Sequence, residues 1–204
     1  MLYILPVAYL APVPYFRLLV QGEVVIDIRA HYHKQTYANR CQIATAHGIE
    51  NLAIPVVHTD HTPLAEVRTS DHHAWQMQHW RAMEAAYNAS PFFDYYKDEL
   101  QPFFTQPTDR LVDFTLALHD KIAELLDLPL HYTLNNEYQK SYANGEIDLR
   151  ETFSTPKNIV TLQPHLQTKP YYQVFEQQWG FTPNLSIVDL LFNMGNEARI
   201  VLIN

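Results

Sequence analysis

The chain has 204 residues, 47% of them hydrophobic, and a formal net charge of −8 with histidine neutral. That length suits one domain with a full core, and the composition excludes wholesale disorder. The acidity argues against nucleic acid or an anionic membrane as partner, because both recruit a basic face. A small-molecule ligand remains, and an anionic one needs a local positive patch. Cys41 is the one cysteine, so no intrachain disulfide is possible and a reducing compartment is expected. Met1 to Phe16 is apolar but has no early Lys or Arg and is interrupted by Pro6, Pro12 and Pro14. It therefore reads as neither a signal peptide nor a span, no other apolar run reaches spanning length, and a cytoplasmic location is expected. The five glycines, Gly22, Gly48, Gly145, Gly180 and Gly195, are too dispersed for a GxGxxG or GxxxxGK phosphate loop. The cofactor is left unspecified.

In chain order, Leu2 to Leu5 predicts a strand buried on both faces. Two prolines bar a regular helix until after Pro14, and Arg17 to Gln21 then predicts a short helix ending at Gly22. Tyr9 and Tyr15 flank this turn. They are either core-edge residues or the wall of a pocket at the end of strand one, where open α/β sheets take ligands. Val24 to Ile28 predicts a second strand, with Asp27 inside it. Asn39 to Thr45 and Ile49 to Val57 predict a hairpin about the Ala46-His47-Gly48 turn, and Leu64 to Arg68 a short edge strand.

Ser70 opens a long helix to about Asn88, capped by Ser70 or Asp71, with Trp80, Met83 and Tyr87 on one face and Trp75 beside it. Ser90-Pro91 restarts a helix that Pro102 ends, and Thr108 caps a third. In that third helix Leu111, Phe114, Leu118, Ile122 and Leu125 recur at steps of three and four, stopping near Asp127 before Pro129. Leu130 to Leu134 predicts a strand. Glu137 to Pro170 is polar and aperiodic, so 137–170 is expected to be a mobile loop or lid. Tyr171 to Trp179 predicts a helix, Ser186 to Met194 an apolar helix closed by Gly195, and Arg199 to Ile203 a last strand. The expected fold is α/β: a single domain over 1–204, with a small mixed sheet and an N-terminal β-hairpin covered by helices.

The stretch His31 to Cys41, His-Tyr-His-Lys-Gln-Thr-Tyr-Ala-Asn-Arg-Cys, stands out. A purely structural connection normally uses Gly, Ser, Asp or Pro. Here Lys34 and Arg40 are interleaved with Gln35, Tyr37 and Asn39 between two apolar runs. Cations among neutral donors at this density suit a phosphate- or carboxylate-bearing small molecule. Lys34 and Arg40 would hold the anion and Asn39 would fix its orientation.

Other chemistry is weaker. His31-x-His33 would put both rings on one face of a strand, and Asp71-His72-His73 could add ligands. Yet His72 and His79 lie roughly 10 Å apart along a helix, and no HExxH or paired-Cys spacing occurs, so no metal is expected. Cys41 beside Arg40 reads either as a thiol of lowered pKa or as a small buried hydrophobe, and a strand position suits the second. His79, one turn after Trp75, is either a general base held near neutral pKa or a core-edge histidine bonded to backbone. Asp189 and Asn193 are four apart and face the same way. They either close the site, with Asp189 as a second catalytic candidate, or tie their helix to the sheet. Ser186-x-x-Asp189 has the spacing of a capping box, whereas Asn193 needs a partner if its helix is buried.

Together the segments AYLAPVPYF (8–16), HYHKQTYANRCQIA (31–44), SDHHAWQMQHW (70–80), YNASPFFDYYKDEL (87–100), YYQVF (171–175) and LSIVDLLFNMG (185–195) resemble the WbqC-like family of bacterial proteins. The pattern is similar to the short form seen in Bacteroidetes. The family takes its name from O-antigen gene clusters, whose other members make and modify nucleotide-linked sugars. The resemblance therefore implies a role in surface-polysaccharide or nucleotide-sugar metabolism, as a transferase of a group to an amino sugar. The alternative from the residues alone is a protein that binds a sugar or peptide without catalysis, given its many Tyr, Trp and His side chains.

Overall fold

The computed structural model describes residues 1–59, 61–70, 74–143 and 145–203. Asp71, His72 and His73, read as cap and candidate ligands, lie outside these residues. Strand β1 (Leu2–Pro6) leads to helix α1 (Val13–Gln21) and strand β2 (Glu23–Asp27). Helix α1 starts four residues earlier than the prolines suggest, because Pro14 sits in the first turn, where its missing N–H has no intrahelical partner to lose. The hairpin follows as β3 (Arg40–Thr45) and β4 (Gly48–Ala53), then β5 (Val56–Val57) and β6 (Arg68–Thr69). Three helices come next: α2 (Trp75–Tyr87), α3 (Phe93–Thr105) and α4 (Leu111–Leu125). Strands β7 (Tyr132–Leu134) and β8 (Glu146–Asp148) precede α5 (Glu176–Trp179), α6 (Ile187–Met194) and α7 (Ala198–Ile203).

The α/β class holds, with a particular sheet. Strands β7, β2, β1 and β8 lie in that order, all parallel. The hairpin does not join them. It forms its own antiparallel ribbon, Arg40 paired with Ala53 through to Thr45 with Gly48, and β5 and β6 form another. From β1 the chain moves outward to β2 and β7 and then returns to β8 on the other flank of β1. The strand order reverses at that point, and open parallel sheets take ligands at the carboxyl ends of strands beside such a reversal.

The apolar stripe of α4 is buried as its periodicity predicts: Leu111, Phe114, Leu118 and Ile122 all face one contiguous core. Ser186 caps α6 by accepting from the Val188 N–H, and Gly195 closes it at φ 52°, with a Cβ there falling 2.5 Å from the Phe92 ring.

Several elements differ from expectation. Leu64–Glu66 is a 3-10 turn, with the strand confined to Arg68–Thr69. Neither Ser90 nor Thr108 caps its helix: the Ser90 hydroxyl donates to the Tyr87 carbonyl, and α4 begins at Leu111. Pro102 lies inside α3, which continues to Thr105. Arg199 to Ile203 belongs to helix α7, because an apolar run this short has no period that separates strand from helix. The 171–179 helix shrinks to α5 because Gln173 and Val174 are tied to Thr182 and Asn193 instead. The 137–170 stretch holds β8, two 3-10 turns and the buried Phe153, Ile159 and Leu162, so part of it packs into the core. No helix among the described residues is long and apolar enough to cross a membrane.

Candidate functional site

The His31–Arg40 stretch is a wall between two cavities. One, of about 510 Å³, is lined by Lys34, Gln35, Asn39, Arg40, Tyr32 and His58. The other, of about 450 Å³, lies at the carboxyl ends of β1 and β8 and takes His31 and His33 from the same stretch. His31 and His33 point to one side and Tyr32 and Lys34 to the other, whereas the turns that follow put Gln35, Asn39 and Arg40 on the side of Lys34.

The first cavity gathers the residues that suggested an anion site. Lys34 is exposed and Arg40 half-buried. Arg40 Nε is buried with no hydrogen-bond partner among the described residues, and so is the Oδ1 of Asn39. The Asn39 amide donates to the Ile54 carbonyl at 2.7 Å, which fixes the side chain with that oxygen left over. Tyr37 is not part of this lining. Its ring is buried and its backbone joins Tyr9 to Ser154, with a hydroxyl left without a partner among the described residues. Burial also pushes the Cys41 thiol up, so the strand cysteine stays protonated.

The second cavity rests on a group of charges that the sequence does not bring together. Asp27, fully buried at the end of β2, accepts from the Arg29 and Ala30 N–H groups and from the Asn135 amide, all on Oδ1. Its Oδ2 accepts from Arg150 Nη1 at 2.6 Å. Arg150 also grips Asp148 through Nε and Nη2, and donates to the carbonyls of Gln139 and Lys140. Its guanidinium lies over Tyr142 and Tyr138, 4.9 and 5.8 Å from the ring centroids. Hydrogen bonds to Asp148 hold Arg150 above its usual range. Burial works to raise the Asp148 carboxyl, but its bonds to Arg150 prevail and hold it low. The one local sign of this network is Asp27 itself, a charge ending an otherwise apolar strand run.

The remaining candidates lie in the core and line neither cavity. The Tyr9 hydroxyl is 2.9 Å from His79 Nδ1, and the Tyr15 hydroxyl donates to the Pro6 carbonyl at 2.7 Å. Both rings are fully buried, so the pocket-mouth reading gives way to the packing one. Trp75 is buried edge-on to His79 and Phe114. His79 is further bonded to the Ala53 backbone, and burial lowers its pKa to about 4. The imidazole is therefore neutral at pH 7 and sits within the core. Asp189 accepts from the Tyr87 and Tyr171 hydroxyls and the Gln173 amide, and forms no capping box. Asn193 accepts from the Val174 N–H and donates to the Asp189 carbonyl, which ties α6 to the 171–174 segment.

These buried groups make a pH prediction. His119, fully buried between Tyr15 and Phe16, is lowered to about 4 like His79, by burial in each case. From pH 6.5 down to 4 the unfolded chain binds more protons at both rings, so stability falls as pH falls through that window. Asp189 opposes this: burial raises its carboxyl to about 6, so below pH 6 the folded chain takes up that proton first and gains. Two imidazoles outweigh one carboxyl, and urea denaturation should show a loss of about 3 kcal/mol between pH 7 and 4.5. His119→Phe should remove most of that slope; an unchanged slope would refute the assignment.

A model of the WbqC-like protein family matches residues 8–153, which contain the whole His31–Arg40 wall together with Asp27 and Arg150. The uncharacterized protein Rv1507c of Mycobacterium tuberculosis is 26% identical over 209 residues, covering 90% of this chain and 89% of its own. No solved structure matches the chain. The family match spans well over half the sequence and both cavities draw on it: the chain belongs to the WbqC-like protein family.

Proposed function

We propose that the protein is a cytoplasmic group transferase of surface-polysaccharide (O-antigen) or nucleotide-sugar metabolism, acting on a phosphate- or carboxylate-bearing substrate and transferring a group to an amino sugar. Family membership supports the pathway. The site rests on one observation: Arg40 has no hydrogen bond or ion pair from its side chain among the described residues, yet its Nε is buried beside a cavity it shares with Lys34. In a chain with 22 acidic and 14 basic residues, an unpaired arginine in a cavity suits an incoming anion, which a planar guanidinium grips through two parallel hydrogen bonds. Asn39 Oδ1 adds an acceptor that fixes orientation.

A thermal-shift screen of nucleotide sugars, acyl donors and amino acids tests this reading. A ligand at 100 times its Kd should stabilise wild type by about 2.7 kcal/mol. Arg40→Ala should keep the unliganded melting temperature and weaken binding by at least about tenfold. A ligand that stabilises Arg40→Ala equally well would remove the anion site.

A second reading, binding without catalysis, is favoured by the burial of His79 and Asp189. Both are held by core hydrogen bonds and neither reaches a cavity. Turnover of a donor found in the screen would eliminate it.

A further inference from the structure

The cavity at the carboxyl ends of β1 and β8 has its own chemistry, and we propose that it binds a polyhydroxylated amine. The proposal goes beyond the reading of the Arg40 cavity as an anion site and does not depend on it. The volume, about 450 Å³, is that of a small-molecule site, and the place is the reversal of strand order in a parallel sheet.

Charge disfavours an anion. Arg150 is the one Lys or Arg side chain in the lining, and all five of its N–H groups are held by Asp148, Asp27 and the carbonyls of Gln139 and Lys140. Arg150 has no donor left for a phosphate or carboxylate, and Asp27 and Asp148 neutralise the cation. Asp148, its side chain 36% exposed, and the exposed Glu151 leave the rim acidic, with carboxylate oxygens that accept from hydroxyls and attract an ammonium.

Shape points to a ring or chain of hydroxyls. His31 stacks on Tyr138 with planes 7° apart and centroids 6.3 Å apart, and Tyr138 remains 57% exposed. An exposed aromatic ring flanked by polar groups presents apolar surface to the C–H groups of a sugar, with Thr36 and Ser154 nearby. His31 and His33 face this cavity while Tyr32 and Lys34 face the other. One wall thus has an anion site on one side and an amine site on the other.

Protein-observed NMR titration at pH 7 tests this with glucosamine, glucose and gluconate on the full chain. Wild type should bind glucosamine saturably and more tightly than glucose, and gluconate not at all. Tyr138→Ala, at an exposed position, should weaken glucosamine about tenfold, whereas Tyr138→Phe and Arg40→Ala should stay within about twofold. No saturable glucosamine binding, gluconate binding as tight as glucosamine, or a Tyr138→Ala variant that binds like wild type would each overturn the proposal. None of these touches the anion site, whose failure shows instead as ligand stabilisation that survives Arg40→Ala.

Discussion

Replacing Arg150 by alanine should cost about 3–5 kcal/mol of stability, because it leaves the fully buried Asp27 carboxylate without its cation. Three hydrogen bonds to Oδ1 would remain, from Arg29, Ala30 and Asn135, but the charge on Oδ2 would face the interior unpaired. The same change frees the carbonyls of Gln139 and Lys140 and removes the cation over Tyr138 and Tyr142. Urea denaturation should show a lower midpoint at an unchanged slope. Asp27→Asn combined with Arg150→Met removes both charges together, so it should recover part of the loss, because the single substitution is punished mainly for the charge it strands. If Arg150→Ala changed stability by less than 1 kcal/mol, the pair would be an ordinary surface bridge and the floor of the second cavity would be misassigned.

The second large effect is expected at Asp189. Asp189→Ala takes the acceptor away from the Tyr87 and Tyr171 hydroxyls and the Gln173 amide, three buried donors, for a loss on the order of 4 kcal/mol. Total stabilities of domains this size are about 5–15 kcal/mol, so poor folding at 37 °C is expected. Asp189→Asn separates structure from chemistry. It keeps one carbonyl oxygen, enough for Tyr171 and Gln173, which share Oδ2, or for Tyr87 on Oδ1, and it removes the carboxyl that burial has raised to about 6, so at pH 7 it should fold better than the alanine variant. If Asp189→Asn folded normally yet lost all turnover of a substrate that wild type consumes, Asp189 would be catalytic and not a tie within the core.

Part of the site was legible because its signals are local. Lys34, Asn39 and Arg40 lie within seven positions and share a cavity, so composition sufficed to mark them. The Asp27–Arg150 pair had no such signal. Its members are 123 positions apart, and Arg150 falls where periodicity is lost, between a three-residue strand and a series of turns. His79 shows the opposite error. Its place beside Trp75 suggested chemistry, but whether an imidazole is free or committed depends on what meets its nitrogens. Here those partners are Tyr9, 70 positions away, and the Ala53 backbone.

By itself the sequence determined the family, the α/β class, the hairpin turn before Gly48, the apolar face of α4, and the Ser186 and Gly195 ends of α6. The family follows from its motifs, and the elements follow from periodicity, capping or turn chemistry, interactions between residues a few positions apart. Tertiary structure alone decided that the hairpin stands apart from the parallel sheet, that 137–170 supplies a strand and core side chains, and that Arg199 to Ile203 is helical. It also decided that the His31–Arg40 stretch has a different cavity on each side. The physical reason is that burial and charge pairing depend on which distant segments meet, and no local pattern records that for a fully buried Asp27 and the arginine that neutralises it.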